Sequence, residues 1–234
     1  MGSAAAWHLS RRGYRVLGLD AYQRGHDRGS SHGRTRIIRQ AYYESPDYVP
    51  LVRRSYELWR ALEEESGRTL LTLTGGIYLG RPEAKLVAGA LASARLHGIP
   101  HEELDAAEIR RRFPAFRVPD DFAGLYEPDA GLLDPEACLS ALLDLAAARG
   151  AELRHEEPVR RWWVDGDGVA VETEREHYRA GRLVLAAGAW ISRLLADLRL
   201  PLEIWRILHV HFEPERDGLF DAGRCPFALW EIPE

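Results

Sequence analysis

The order of hydrophobic and polar positions predicts an α/β protein whose first element is a helix. Residues 1–9 are mostly small and apolar, and Gly13 follows them as a helix stop. Residues 14–20 form a short hydrophobic run that ends in Asp20 and predicts a buried strand. A helix, a glycine and a strand ending in an acid form the second half of a βαβ dinucleotide-binding unit, with Gly2 as its last fingerprint glycine. This region therefore predicts an incomplete Rossmann-like domain.

The pattern beyond residue 40 alternates between helices and strands. The predicted helices are 46–67, 82–97, a short helix opened by a capping-box-like sequence at 105–108, and 134–150. The predicted strands are 70–79 with an interruption at Gly75-Gly76, a hairpin of 159–164 and 169–173, a buried strand at 183–187 before Gly188-Ala189-Trp190, and an alternating strand at 208–212. Because βαβ-like and antiparallel signals are mixed, the pattern favours two interleaved domains over two domains in series.

Composition narrows the classes of function. The chain has 234 residues, of which 46% are hydrophobic and 29% are charged, as in soluble globular proteins. A net charge of -5 argues against nucleic-acid binding, and the sequence shows neither a membrane-length apolar run nor a signal peptide. Two cysteines are too few for a disulfide framework or a zinc site. We therefore expect a cytoplasmic protein with no metal and no membrane association.

Residues 30–39, Ser-Ser-His-Gly-Arg-Thr-Arg-Ile-Ile-Arg, are the strongest candidate for a functional loop. Three arginines and a histidine beside two isoleucines of the type usually buried suit a loop that holds an anionic cofactor beneath a reaction site. In an extended loop Arg36 and Arg39 can face different directions, one toward the cofactor and the other toward a substrate anion by bidentate contact. The alternative is a basic loop that is tethered to acidic neighbours such as Asp27 and Glu44.

The other motifs are weaker. Gly2 suits a helix N-terminus that faces a pyrophosphate, and Asp20 suits an acid that binds a ribose diol. A small-residue helix beside a strand that happens to end in Asp explains both residues equally well. The turn at 187–190 lets the backbone approach a ligand, although an ordinary strand-to-helix turn is the simpler explanation. His209 and His211 would share one face of a strand, but further metal ligands are missing from their sequence neighbourhood, so a structural role is favoured.

Several motifs occur in a fixed order over nearly the whole chain: Met1-Gly2, 16–20, Ser31-His32-Gly33, 35–39, Ala41-Tyr42, 48–51, Leu58-Trp59, 74–76, 127–131 and 187–190. In these motifs the chain resembles the monomeric sarcosine oxidase and N-methyltryptophan oxidase group of the D-amino-acid-oxidase-like flavoproteins. The resemblance implies FAD binding and oxidation of a secondary or N-methylated amine that carries a carboxylate. In such enzymes a hydride passes from the carbon next to nitrogen to the flavin, and molecular oxygen then reoxidises the flavin to give hydrogen peroxide.

The resemblance also implies a role for each candidate residue. Asp20 would bind the adenosine ribose, and Arg39 would pair with the substrate carboxylate beside Tyr42. The implied FAD contacts are Gly2, Asp20, Ala21, Ser31, His32, Thr35, Arg36, Val159, Ala187, Gly188 and Trp190, and the implied catalytic residues are His32, Arg36, Arg39 and Tyr42. The expected FAD-binding domain comprises 1–70 and 132–200, and the expected α+β substrate domain, built on an antiparallel sheet, comprises 71–131 and 201–234.

Members of this group are longer than this chain, so the resemblance implies truncation at both ends. The expected missing parts are the first strand with two fingerprint glycines, and a C-terminal part with the flavin-linking cysteine and the lysine for oxygen reduction. Cys138, Cys225 and Lys85 match neither of those two positions. A non-catalytic fragment, or a subunit that needs a partner chain to complete the FAD site, is the alternative. An NAD-dependent dehydrogenase fits Gly2 and Asp20 but not residues 30–39.

Overall fold

The structure is a computed structural model that describes residues 1–231. Its helices are α1 (Gly2–Arg11), α2 (Tyr48–Ser66), α3 (Lys85–His97), α4 (Ala106–Arg112), α5 (Pro135–Ala148) and α6 (Ile191–Leu194). Its strands are β1 (Leu17–Leu19), β2 (Arg36–Ile38), β3 (Leu71–Leu73), β4 (Gly76–Gly80), β5 (Glu102–Asp105), β6 (Ala123–Glu127), β7 (Gly131–Leu133), β8 (Glu152–Arg154), β9 (Val159–Asp165), β10 (Gly168–Thr173), β11 (His177–Ala180) and β12 (Phe227–Trp230). Within these described residues, the helices are all too short or too polar to cross a membrane.

Two compact units alternate along the chain. The first consists of Met1–Arg34 and Pro135–His209, and the second of Thr35–Asp134 and Val210–Glu234. Residues 35–70 thus belong to the second unit. The expected division of the chain into an FAD-binding and a substrate domain stays a prediction.

The first unit combines a parallel strand pair with an antiparallel sheet. β1 pairs in parallel with β8, and α1 packs against α5 and carries Trp7, which is 1% exposed. Strands β9 to β11 form an antiparallel sheet in the order β11-β10-β9, and the predicted hairpin joins β9 to β10. This mixture of helices, parallel strands and antiparallel strands confirms the predicted α/β class.

The strand predicted at 14–20 is shorter and more exposed than expected. β1 covers only Leu17–Leu19, and Leu17 itself is 38% exposed. Within residues 1–231, β8 is the one strand that pairs with β1, which leaves the other edge of β1 open. A strand is fully buried only when it has neighbours on both edges and on both faces. Over the residues that the structure describes, β1 has a neighbouring strand on one edge only, which explains why it is half-buried.

Two predicted strands are wrong. Residues 183–187 and 208–212 have no regular structure, and Val184 and Phe212 are 59% and 87% exposed. A strand forms only where a second segment completes its hydrogen bonds, and neither segment pairs with a strand in the described part of the chain. His209 and His211 therefore do not share a strand face. The turn after residue 187 is a short 3-10 helix, Gly188–Trp190, which leads into α6.

The second unit contains two sheets. One has the strand order β12-β4-β6-β5, in which β12 is parallel to β4 and the other neighbours are antiparallel. The other is antiparallel in the order β2-β7-β3. Helix α3 packs on β4 and β6, and Ile77, Tyr78 and Leu125 lie in the core.

Gly75 and Gly76 divide the strand predicted at 70–79. The chain passes there from β3 to β4, which belong to different sheets. Gly75 has a φ of +70°, and a Cβ on Gly76 would lie 2.3 Å from the ring of Phe227. Both positions therefore require glycine, the first for its backbone conformation and the second for its lack of a side chain.

The helix ends follow local signals in the sequence. α2 and α3 are followed by Gly67 and Gly98, and both glycines adopt the left-handed conformation that ends helices. At the start of α4, the carboxylate of Asp105 accepts the backbone N–H of Glu108 at 2.8 Å. The helices predicted from residues 46, 82, 105 and 134 are thus confirmed, with starts shifted by one to three residues.

Candidate functional site

Asp20 directly follows β1, and its carboxylate is held at one oxygen. Oδ1 accepts the backbone N–H of Tyr22 at 2.9 Å and lies 3.4 Å from Nε2 of His26. The backbone of Asp20 is also fixed, because its N–H donates to the carbonyl of Arg154 at 2.9 Å and its carbonyl accepts the N–H of Glu157 at 2.8 Å. With 45% of its side chain exposed, Asp20 can accept a hydrogen bond from a ligand hydroxyl.

The first turn of α1 lies beside the segment that leads into Ala187 and Gly188. A Cβ added to Gly2 would lie 3.5 Å from the Cβ of Ala186, so the two backbones approach closely. The helix has no side-chain cap at Met1. The N–H groups of a first helical turn have no partners within the helix, and together they favour an anion such as a phosphate.

The ring of Tyr22 connects the end of β1 to Trp190. The ring centroids of Tyr22 and Trp190 are 6.2 Å apart, and those of Tyr22 and His26 are 4.9 Å apart. The structure thus brings together two motifs that were weak when taken separately, the one ending at Asp20 and the one containing Trp190.

Residues 31–33 lie in exposed turns of the first unit. Nδ1 of His32 is 2.6 Å from the carbonyl oxygen of Gly29, and the N–H of Gly33 donates to Glu136 at 3.2 Å. Further predicted cofactor residues of this unit are placed as follows: Ala21 and Ser31 are exposed, and Val159 opens β9 opposite Thr173. Their predicted contacts with FAD remain predictions.

In the second unit, β2 carries Arg36 opposite Leu133 of β7. Nη1 of Arg36 donates to the carbonyl oxygen of Thr35 at 2.8 Å. Ile38 is 7% exposed whereas Ile37 is 44% exposed, because neighbouring residues of a strand face opposite sides. The interpretation of both isoleucines as buried is therefore wrong for Ile37.

Arg39 is confined in the turn after β2, where 10% of its side chain is exposed. Nη2 donates to both carboxylate oxygens of Glu44, at 2.9 and 3.1 Å, and Nη1 donates to the carbonyl of Ala41 at 3.3 Å. The guanidinium lies 4.1 Å from the ring centroid of Tyr42. Burial alone would lower the pKa of Arg39, but interactions with Tyr78 and Glu44 outweigh burial and raise it. The bond to Glu44 is the acidic tether that the sequence offered as an alternative.

A fully buried glutamate holds the turn that carries Arg39. Oε1 of Glu127 accepts the N–H of Gln40 at 2.7 Å, while Oε2 accepts the N–H of Ala41 at 3.0 Å and the hydroxyl of Tyr78 at 2.9 Å. Burial raises the pKa of Glu127, and the hydrogen bonds partly oppose that shift. Burial and the nearby Glu127 carboxylate also raise the pKa of Tyr78, so its hydroxyl keeps its proton.

Tyr42 ends the same turn and is half-buried. Its N–H donates to the carbonyl of Gln40 at 2.8 Å, and its own carbonyl accepts the hydroxyl of Ser93 at 2.5 Å. Its ring packs against Tyr48 with the centroids 5.3 Å apart. These contacts keep the Tyr42 ring beside the guanidinium of Arg39.

The arrangement around Arg39 suits a carboxylate ligand. A guanidinium can bind a carboxylate at two oxygens, and in this structure Nη2 of Arg39 contacts both carboxylate oxygens of Glu44. Sequence reasoning missed the parts played by Tyr78 and Glu127. Glu127 opens the matched motif 127–131, but the sequence carries no signal that its carboxylate meets backbone groups 86 and 87 residues away.

Comparisons with known proteins agree with one another. The family described as "DAO: FAD dependent oxidoreductase" matches residues 1–233. Monomeric sarcosine oxidase from Streptomyces avermitilis is 50% identical over 235 residues, which cover 100% of this chain and 61% of that protein. N-methyl-L-tryptophan oxidase from Salmonella arizonae is 36% identical over 234 residues, which cover 100% of this chain and 62% of that protein.

A solved structure gives the same result for the fold. NikD, an unusual amino acid oxidase essential for nikkomycin biosynthesis, matches in its open form with a TM-score of 0.77 and 37% identity. The match covers 84% of this chain and 51% of NikD. The chain therefore spans less than two thirds of each of these relatives.

Proposed function

Because the chain belongs to the FAD dependent oxidoreductase family described as DAO, we propose that the protein containing it oxidises the carbon–nitrogen bond of a secondary or N-methylated amino acid such as sarcosine. The observation that carries the substrate assignment is the guanidinium of Arg39, whose side chain is 10% exposed and which lies against the ring of Tyr42 while Nη2 contacts a carboxylate. A partly desolvated guanidinium beside an aromatic wall selects small molecules that carry a carboxylate.

We assign most of the proposed FAD contacts to residues of the first unit. The proposed contacts in this unit are Gly2, Asp20, Ala21, Ser31, His32, Val159, Ala187, Gly188 and Trp190, and those in the second unit are Thr35 and Arg36. Asp20 offers a ribose the exposed part of its carboxylate, and the uncapped start of α1 offers N–H groups to a phosphate. Bound FAD would accept a hydride from the substrate and pass electrons to molecular oxygen, which yields hydrogen peroxide.

The substrate carboxylate would take the place of Glu44 at Nη2 of Arg39. Glu44 is 39% exposed and can turn toward solvent, whereas Arg39 is held by the carbonyl of Ala41 and by the ring of Tyr42. The exchange keeps the guanidinium paired with a carboxylate throughout. Arg36 supplies a further positive charge, which would stabilise an electron-rich reduced cofactor.

Replacing Arg39 by lysine in the complete native protein tests the substrate assignment. Arg39→Lys keeps the charge but removes the two-pronged contact, so the KM for sarcosine should rise by about 10- to 100-fold. The KM for dimethylamine, which lacks a carboxylate, should be unchanged. Steady-state peroxide release gives both values.

The control for this experiment is Arg54→Lys. Arg54 lies on the surface of α2, with 65% of its side chain exposed. Its replacement by lysine should therefore leave both KM values unchanged. Equal changes with sarcosine and dimethylamine in Arg39→Lys would contradict a carboxylate site at Arg39.

We also propose a cytoplasmic location and an FAD site completed by further native residues or by a partner chain. Both Cys138 and Cys225 are free thiols, which suits a reducing compartment. The proposal of further residues or a partner rests on the 61% coverage of the sarcosine oxidase relative. Size-exclusion chromatography of the 234-residue chain with FAD tests this proposal. A monomer that retains FAD would need neither further residues nor a partner chain, and would contradict the proposal.

A further inference from the structure

A histidine of the first unit contacts the acid that we assign to the ribose. Nε2 of His26 lies 3.4 Å from Oδ1 of Asp20, and 20% of the His26 side chain is exposed. The imidazole packs against the ring of Tyr22 at a centroid distance of 4.9 Å. His26 has no role in the assignments above, so its position beside Asp20 needs its own explanation.

The other ring nitrogen of His26 determines where the proton lies. Nδ1 accepts the backbone N–H of Arg28 at 3.0 Å. A ring nitrogen that accepts a hydrogen bond carries no proton, so the neutral imidazole is protonated at Nε2. Nε2, which lies 3.4 Å from Oδ1 of Asp20, then carries the ring proton, so a positive partial charge lies beside the carboxylate.

A hydrogen-bond donor and the imidazole therefore lie beside the same oxygen of Asp20. Oδ1 accepts the backbone N–H of Tyr22 at 2.9 Å and faces Nε2 of His26 at 3.4 Å. A carboxylate bonded at one oxygen with an imidazole beside that oxygen has fewer rotational states, which favours one direction for its second oxygen. An aimed oxygen can bind a diol whose two hydroxyls have a fixed geometry, at a lower cost in side-chain entropy.

We propose that His26 is a positioning residue that orients Asp20 toward the ribose diol of FAD. This inference rests on the proposed function, because it takes Asp20 as the ribose-binding acid. His26 acts through Asp20 rather than by touching the nucleotide. Its effect is on specificity: the imidazole increases the preference for ribose over deoxyribose.

The contact between His26 and Asp20 is tested first in the 234-residue chain without nucleotide. Nitrogen-15 NMR at alkaline pH should show the ring of His26 protonated at Nε2, and Asp20→Asn should shift the Nε2 resonance. The control is Asp27→Asn, since Asp27 is 83% exposed and pairs with Arg28, and it should leave Nε2 unchanged. A ring protonated at Nδ1, or an Nε2 signal that ignores Asp20→Asn, would overturn the proposal.

Two variants of His26 separate positioning from a merely structural role. In His26→Asn the side-chain amide can occupy the position of Nδ1 and keep the bond to Arg28, but the group beside Asp20 is lost. In His26→Gln the longer amide can occupy the position of Nε2 and keep a donor beside Asp20, but the bond to Arg28 is lost. Calorimetry with ADP and 2′-deoxy-ADP measures the preference for ribose in each variant. His26→Asn should reduce that preference by about threefold to tenfold, while His26→Gln should retain it.

The remaining outcomes are also decisive. A preference kept in His26→Asn and lost in His26→Gln would show that His26 acts on the loop through Arg28. A preference lost equally in both variants would show a merely structural role, and a preference kept in both would show that the imidazole is not needed. Each of these results would overturn the proposal. If the unaltered chain does not distinguish ADP from 2′-deoxy-ADP, the assignment of Asp20 to ribose fails. The NMR result then still decides whether His26 orients Asp20.

Discussion

At the scale of single residues, the position of Arg39 depends on a carboxylate that it does not pair with directly. Glu127 is fully buried and accepts hydrogen bonds from the two backbone N–H groups that follow Arg39 and from Tyr78. Buried donors without an acceptor are costly, so the three bonds act together. Glu127 therefore fixes the turn, and the turn fixes the arginine.

Replacing Glu127 by alanine should lower the free energy of unfolding by about 3 to 5 kcal/mol. The reason is that three buried donors lose their acceptor at once. Urea denaturation followed by circular dichroism measures the loss. The matched variant Tyr78→Phe removes one donor and leaves the two backbone bonds, so it should cost about 1 kcal/mol. If the two variants cost the same, Glu127 does not hold the turn.

At the scale of elements, one side chain ties α2 to β3. Oε1 of Glu63 accepts the N–H groups of Leu70 and Leu71 at 2.7 and 2.9 Å, and Oε2 accepts from Arg60 at 2.7 Å. Burial alone would raise the pKa of Glu63, but these bonds outweigh burial and lower it. A carboxyl whose pKa is lowered by folding stabilises the fold above its unfolded pKa of about 4.3, and that contribution is lost as the pH falls through the folded pKa.

Glu63→Gln should accordingly destabilise the protein by about 1 to 2 kcal/mol near neutral pH. The difference from the unaltered protein should shrink as the pH falls below the unfolded pKa of about 4.3 and through the lower pKa of folded Glu63. Urea denaturation across this pH range measures it. Glu64→Gln, at an exposed neighbouring position, should change stability by less than about 0.5 kcal/mol at every pH. A pH-independent cost in Glu63→Gln would contradict the account.

Helix α3 lies directly against the backbone of the turn that follows Arg39. A Cβ on Gly89 would lie 2.5 Å from the carbonyl oxygen of Tyr43. Gly89→Ala should therefore destabilise the protein by about 1 to 3 kcal/mol, although alanine is the better helix former. Gly181→Ala is the control, since open space surrounds its Cβ position, and should be nearly neutral. Thermal denaturation distinguishes the two, and a stabilised Gly89→Ala protein would show that the helix can move away.

Helices could be predicted better than strands because their signals are local. Gly67, Gly98 and Asp105 end or begin helices through bonds within a few residues, and the sequence shows those neighbours. Strand pairing depends on distant segments, which explains the wrong predictions at 183–187 and 208–212. The bonds of Glu127 to the turn are long-range in the same sense, so the sequence did not indicate them.

At the scale of the whole molecule, family membership follows from the order of many short motifs along the chain. The match over residues 1–233 includes residues of both compact units. Each unit contributes a different chemistry: the first presents Asp20 and the start of α1, and the second presents Arg39 beside Tyr42. The proposed roles of these residues, cofactor binding in the first unit and carboxylate binding in the second, are tested separately.

The most direct test of the proposed activity is anaerobic reduction of the flavin in the complete native protein. Adding sarcosine or N-methyl-L-tryptophan without oxygen should bleach the visible absorbance of oxidised flavin, and admitting oxygen should restore it with one hydrogen peroxide per flavin. A protein that binds FAD but keeps its oxidised spectrum with every secondary and N-methylated amino acid, or that binds no FAD, would contradict the proposed function.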